Sequence, residues 1–194
     1  MTDHIIEKLT SLLKTDELDE YETEILKYGI TTVALNLPKT ILLFIIAKQI
    51  KLLKPLTFFF MFYSVIRTFS RGIHAKTPLA CFLIGTTSHL GLAYLSKIIK
   101  VSRNIYNLVF AYCFYVYYKY SPSGTEVNPM YKDQIIPLKV RSLLVLVVYY
   151  FIGLKDGLIR NVAMLSVLSQ SFYILPITYK LACQQGGVVH EDEE

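Results

Sequence analysis

Apolar residues along this chain fall in long blocks separated by short polar stretches, and those blocks set its class. Residues 1–27 are the exception. There Ile5, Ile6, Leu9, Leu12 and Leu13 recur at helical spacing within a polar segment, which predicts an amphipathic helix. It would lie at a membrane interface or pack on the rest of the protein. The acidic run over 16–20, with Glu22 and Glu24, reads as a solvated face. Residues 28–47 are the first block long enough to span a membrane, although Pro38 should kink it and Lys39 must snorkel or face protein. Block 55–66 is too short alone and reaches spanning length only by extending to about Gly72, which draws Arg67 and Arg71 toward the membrane. A re-entrant segment fits equally. Blocks 78–95, 105–118 (dense in Tyr, as at a headgroup boundary), 143–154 and 158–177 complete the series. The longest polar connection is 119–141, where Pro122, Gly124, Pro129 and Pro137 should break any element. The pattern predicts an all-α, polytopic integral membrane protein. It has about six membrane segments, one of them spanning or re-entrant, and an N-terminal amphipathic helix.

Composition supports that class. Of the 194 residues, 53% are hydrophobic and 18% charged, against about 25% charged in ordinary soluble domains. The mean hydropathy is +0.41. A soluble helical protein with a large core is the competing class. Length implies one domain over 1–194: an amphipathic and acidic region to 27, membrane segments over 28–177, and a polar tail over 178–194. The N-terminus is polar and acidic before its first apolar run, unlike a cleavable signal, so the chain's own spans should hold it in the membrane. Three cysteines, Cys81, Cys113 and Cys183, show no paired spacing and no CxxC. That argues against a disulfide framework and against a metal site, and no cofactor is expected. The net charge of +5 suits an acidic or amphipathic peptide and equally suits anionic lipid headgroups. No nucleic-acid partner is expected.

Candidate chemistry is concentrated in residues 67–81, RTFSRGIHAKTPLAC, between two apolar blocks. His74 and Cys81 stand seven residues apart. A thiol becomes a strong nucleophile as the thiolate, which an imidazole, cationic neighbours (Arg67, Arg71, Lys76) or a helix N-terminus can each promote. Thr77-Pro78 reads as an N-cap followed by proline at the first helical position, which puts Cys81 in or just after the first turn. A continuous helix would hold His74 and Cys81 about 10 Å apart, too far for proton transfer, so the intervening loop is needed to bring them together. The plainer alternative is a buried structural cysteine and a loop histidine that never meet. His89, about 12 Å along the same helix from Cys81, reads as a packed or interfacial residue. No acidic residue is near in sequence to orient His74; Asp133, Glu126 or a backbone carbonyl are the open choices. Amides at the start of the Cys81 helix are candidate oxyanion donors. Arg67 and Arg71 are either positioning groups or ordinary flanking cations of a span.

This block resembles the motif of the accessory gene regulator B family, membrane cysteine endopeptidases that process quorum-sensing peptide precursors in Gram-positive bacteria. Arg67, Gly72, His74, Ala75 and Cys81 occupy the motif positions, while Arg71 stands where many members have a first glycine. Tyr120-Ser121-Pro122 and Ile136-Pro137-Leu138-Lys139 are weaker matches. The resemblance implies a His74–Cys81 dyad without an obligatory carboxylate; Arg67, Arg71 and Gly72 are the candidate substrate-positioning residues. It further implies an acyl-enzyme on Cys81 that passes to a substrate cysteine, giving a cyclic thiolactone. The partners implied are the precursor peptide and the lipid bilayer, with a homodimer left open. A slight excess of Lys and Arg on the side of the His74–Cys81 block places that block and the N-terminus toward the cytoplasm of a bacterial cell membrane. A non-catalytic transporter or scaffold is the alternative function; it leaves the His–Cys spacing beside a proline-capped helix unexplained.

Overall fold

A computed structural model describes residues 2–13, 19–73, 75, 77–125, 130–155, 157–182 and 189–190. The chain divides into two compact units, 1–49 and 50–194.

The first unit contains α1 (Thr2–Leu13) and α2 (Glu20–Gln49), which pack on each other. Helix α2 begins well before the apolar block, because the acidic run supplies its start. Asp19 Oδ1 accepts from the Glu22 amide at 2.7 Å, and Glu22 Oε2 accepts from the Asp19 amide at 3.2 Å. This reciprocal capping box satisfies two amides that an open helix end would leave unpaired. The helix then continues through Pro38 as a single element. It exposes Val33, Leu37, Ile41 and Ile45, as a helix bathed in lipid would.

The second unit is a bundle of five long helices: α3 (Leu53–Ser70), α4 (Pro78–Ile98), α5 (Arg103–Tyr120), α6 (Lys132–Ile152) and α7 (Leu158–Ile174), followed by the short α8 (Pro176–Leu181). Met130–Tyr131 and Val189–His190 form a two-residue parallel strand pair. Residues 53–70 form one uninterrupted helix. Pro137, expected to break the chain, lies inside α6, so the apolar block over 143–154 is only the second half of a 21-residue helix. Pro137 lies past the first turn, so α6 forfeits the bond to the Asp133 carbonyl there and absorbs the crowding of that carbonyl by the ring. The connection before α6 is correspondingly shorter than the sequence suggested. Pro176 marks the opposite case: it ends the block over 158–177 early and starts α8.

Helix α7 occupies the centre and packs against α3, α4, α5 and α6. It is the most buried helix and also carries Arg160, Asn161, Ser166, Gln170 and Ser171 on its buried surface. Arg160, Asn161 and Gln170 bond to the ends of neighbouring helices and Ser171 Oγ donates to the Leu168 carbonyl of α7 itself at 2.7 Å, whereas Ser166 Oγ has no partner among the described residues. Near its N-terminus, Asn161 donates to the carbonyls of Ser96 and Ile99, each at 2.8 Å, at the end of α4. Arg160 donates to the carbonyls of Gly153 at 3.1 Å and Leu154 at 2.9 Å, after α6. Helices α2, α4 and α6 are long and apolar enough to cross a membrane. The molecule is an all-α membrane protein.

Candidate active site

The segment leading to His74 is held by side chains from three helices. Helix α3 ends at Ser70, and Arg71 turns the chain out with φ +56° and ψ −142°. Gly72 follows with φ +118°, a conformation that side chains rarely adopt. A Cβ on Gly72 would lie 2.6 Å from the Tyr173 carbonyl oxygen and 2.8 Å from Arg67 Nη1, so both dihedral angle and space demand glycine. The backbone here is paired on two sides. Gly72 N–H donates to the Ser123 carbonyl (2.8 Å), Ser123 N–H to the Ser70 carbonyl (3.1 Å), and Ile73 N–H to the Tyr173 carbonyl (3.0 Å).

Arg67 closes the arrangement. Its Nη1 donates to the Arg71 carbonyl at 3.0 Å and to Gln170 Oε1 at 3.3 Å. Its Nη2 donates to the Gly72 carbonyl at 3.2 Å and to that of Ile73. The guanidinium lies 5.4 Å from the Tyr173 ring centroid, a cation–π contact. A planar fork with several fixed N–H vectors suits this task, and a lysine's single point charge does not. Gln170, from α7, donates to Ser70 Oγ at 2.7 Å and to the Arg71 carbonyl. Tyr179 of α8 donates to the Ser123 carbonyl at 3.2 Å, and burial raises its hydroxyl's pKa despite the opposing effects of that bond and Arg67.

His74 lies outside the described residues, as do Lys76, Glu126 and Cys183. The Thr77 side chain accepts from the Ala80 amide at 3.1 Å with Pro78 next, the predicted cap. Cys81 sits one turn into α4 and is exposed, whereas Cys113 of α5 is fully buried. The Tyr63 ring on α3 meets that of Tyr173 edge-on at 6.4 Å. His89 is committed to packing: its Nδ1 donates to the Gly85 carbonyl at 2.7 Å, since a carbonyl only accepts. Its ring meets Tyr63 edge-on at 4.9 Å and Phe59 at 5.5 Å. Asp133 stands exposed in the first turn of α6.

Of the residues singled out from sequence, Arg67, Arg71 and Gly72 thus form one hydrogen-bonded unit, with Cys81 across the following loop. Gln170, Tyr173 and Ser123 belong to the same unit and were not singled out. Gln170 did carry a signal, as an amide within a strongly apolar block.

A hydrogen-bonded turn after α3 and a capped helix carrying an exposed thiol thus belong to one helical membrane protein. The model of the accessory gene regulator B family matches residues 2–174, and the chain belongs to that family. It is similar to an AgrB-like protein of Clostridium acetobutylicum (26% identical, covering 90% of this chain and 83% of that one). Accessory gene regulator protein B of Staphylococcus intermedius is 25% identical over 91% of this chain and 95% of its own length. Protein FsrB of Enterococcus faecalis is 24% identical over 89% and 73%. No solved structure matches the chain.

Proposed function

We propose that this protein is a membrane-embedded cysteine endopeptidase acting on a quorum-sensing precursor peptide, with Cys81 as nucleophile and His74 as its base. The observation that carries the reading is the pinned segment 70–73, which leads directly to His74 and is followed by a capped helix presenting an exposed thiol. Arg67, Arg71 and Gly72 position the site by shaping that segment. His74 takes the thiol proton, and the Cys81 thiolate attacks a peptide carbonyl. The C–N bond breaks, the departing amine takes the proton from the imidazolium, and a thioester remains on Cys81. A substrate thiolate then attacks the thioester, the bond to Cys81 breaks, and the acyl group closes into a peptide thiolactone. Thioester exchange is nearly neutral in energy, so catalysis depends on orienting the substrate thiol and excluding water. The site faces the cytoplasm, where a newly made precursor is found, with the bilayer surrounding the helices.

Co-expression with a precursor encoded in an adjacent reading frame tests this by mass spectrometry. The expected products are a peptide carried on Cys81 and a released peptide lighter by one water. Cys81→Ala should lose both while still inserting into the membrane. Undiminished cleavage and cyclisation by Cys81→Ala would refute the assignment.

A further inference from the structure

A groove of about 550 Å³ runs between α4 and α7. Leu92, Leu95 and Ile98 of α4 line it together with Leu165, Leu168 and Phe172 of α7, and no charged side chain among the described residues does. Its width depends on small residues, Ser88 and Gly91 on one wall and Ser169 on the other. The Ser169 hydroxyl donates to the Ser166 carbonyl at 3.0 Å, so it asks for no partner in the groove. A Cβ on Gly91 would meet no heavy atom within 4 Å, so a larger side chain fits there without displacing the fold.

Both walls lead to the candidate site. Tyr173 lines the groove, its ring lies against the Arg67 guanidinium, and its carbonyl accepts from the Ile73 amide, one residue before His74. On the opposite wall the link is α4 itself. At about 100° per residue, Ser88, Leu92 and Leu95 lie within about 40° of Cys81 around that helix. The exposed thiol therefore stands on the groove's side of α4, at the end nearer the cap. Ser88 follows Cys81 by about 10 Å along the axis, a distance that about three residues of extended peptide span.

We propose that this groove is a specificity subsite: it takes an apolar side chain of the precursor about three residues from the scissile carbonyl. The inference rests on Cys81 being the nucleophile. A peptide already held at Cys81 fills the groove at little further cost in translational freedom, whereas a lipid finds no cation lining the groove to hold its headgroup. A polar side chain would give up water there for few partners, so large aliphatic and aromatic residues are selected.

The test uses the full-length protein in bilayer discs with its precursor. A precursor series carries alanine, one position at a time, at each apolar residue within about four of the scissile bond. With the wild-type protein, one of these replacements should lower kcat/KM about 10–100-fold. Gly91→Leu fills the groove and should lower kcat/KM for the unaltered precursor by a similar factor. For the sensitive alanine precursor it should cost almost nothing more, since the two changes remove the same contact. Gly91→Ala should stay within about twofold of wild type, and alkylation of Cys81 by a small neutral reagent should be unchanged in both variants. Wild-type kcat/KM in Gly91→Leu would overturn the proposal and leave the groove to lipid. Losses that add equally for every precursor would overturn it as well, because the variant would then be distorting the whole site. Either result leaves Cys81 as nucleophile while Cys81→Ala is inactive. Activity in Cys81→Ala would overturn both readings.

Discussion

Arg67 and Gly72 are individually ordinary residue types, and their roles follow from one geometric fact: three successive carbonyls, of Arg71, Gly72 and Ile73, face a single guanidinium. Carbonyls gathered in this way repel one another unless a dense cluster of donors meets them. Gly72 makes room for that cluster. Gly72→Ala forces a Cβ against both the Tyr173 carbonyl and Arg67, in a positive-φ conformation, which should cost roughly 3 kcal/mol and displace the segment before His74. Processing should fall to background, with a lower thermal midpoint for the purified protein. Arg71 gives the opposite expectation. Its φ of +56° is one that glycine adopts without strain, so Arg71→Gly relieves about 1–2 kcal/mol there while loosening the unfolded chain by about 0.4–1 kcal/mol. Stability should stay within about 1 kcal/mol of wild type and processing should persist. A dead Arg71→Gly with a normal thermal midpoint would show that the side chain itself acts on substrate. The sequence motif drew attention to both residues but could not give their roles, because a bond to a backbone carbonyl leaves no trace in residue identity.

The elements show the same division between what pattern reveals and what folding decides. The Thr77-Pro78 cap was legible because capping is local chemistry, and the structure shows it as predicted. The limits of α6 were not, since Pro137 reads as a breaker until the surrounding helix tolerates it. The central position of α7 was also hidden: hydropathy ranks apolarity, whereas this helix is central because its polar groups serve its neighbours' ends. Gln170 is the clearest case. It donates to Ser70 Oγ and the Arg71 carbonyl and accepts from Arg67, so it joins α7 to the end of α3. Gln170→Leu keeps a similar volume but leaves Ser70, the Arg71 carbonyl and one Arg67 nitrogen without this partner. The expected loss is about 2 kcal/mol, since unpaired buried polar groups cost about 1–3 kcal/mol each and some of these keep other bonds. Limited proteolysis should then cut between residues 71 and 77 faster than in wild type, and processing should weaken. Equal cutting rates would mean that Arg67 holds the segment unaided.

Across the second unit, the helices alternate in direction and leave two unlike ends. One end gathers the segments around Arg71, Ser123 and Tyr179; the other gathers Ile99, Val101 and Gly153 around Arg160 and Asn161. Each end has one arginine turned inward onto backbone carbonyls, Arg67 and Arg160, and neither presents its charge to the headgroups. Orientation therefore rests on the remaining cations. At the Cys81 end, Lys119 lies over the rings of Tyr115 and Tyr120, and Lys139 over that of Tyr118. Such pairs keep a lysine at the level of the headgroups, where the positive-inside tendency acts. This end should face the cytoplasm. In a Cys183→Ser background, a membrane-impermeant maleimide should label Cys81 in inverted vesicles and leave it unlabelled in right-side-out ones. Cys113, with no exposed surface, should react in neither until the protein is denatured, so it serves as the control for an intact fold. Labelling of Cys81 from outside would reverse the orientation. The thiol would then meet only peptide that had already crossed the membrane, and a precursor processed where it is made would have to be abandoned.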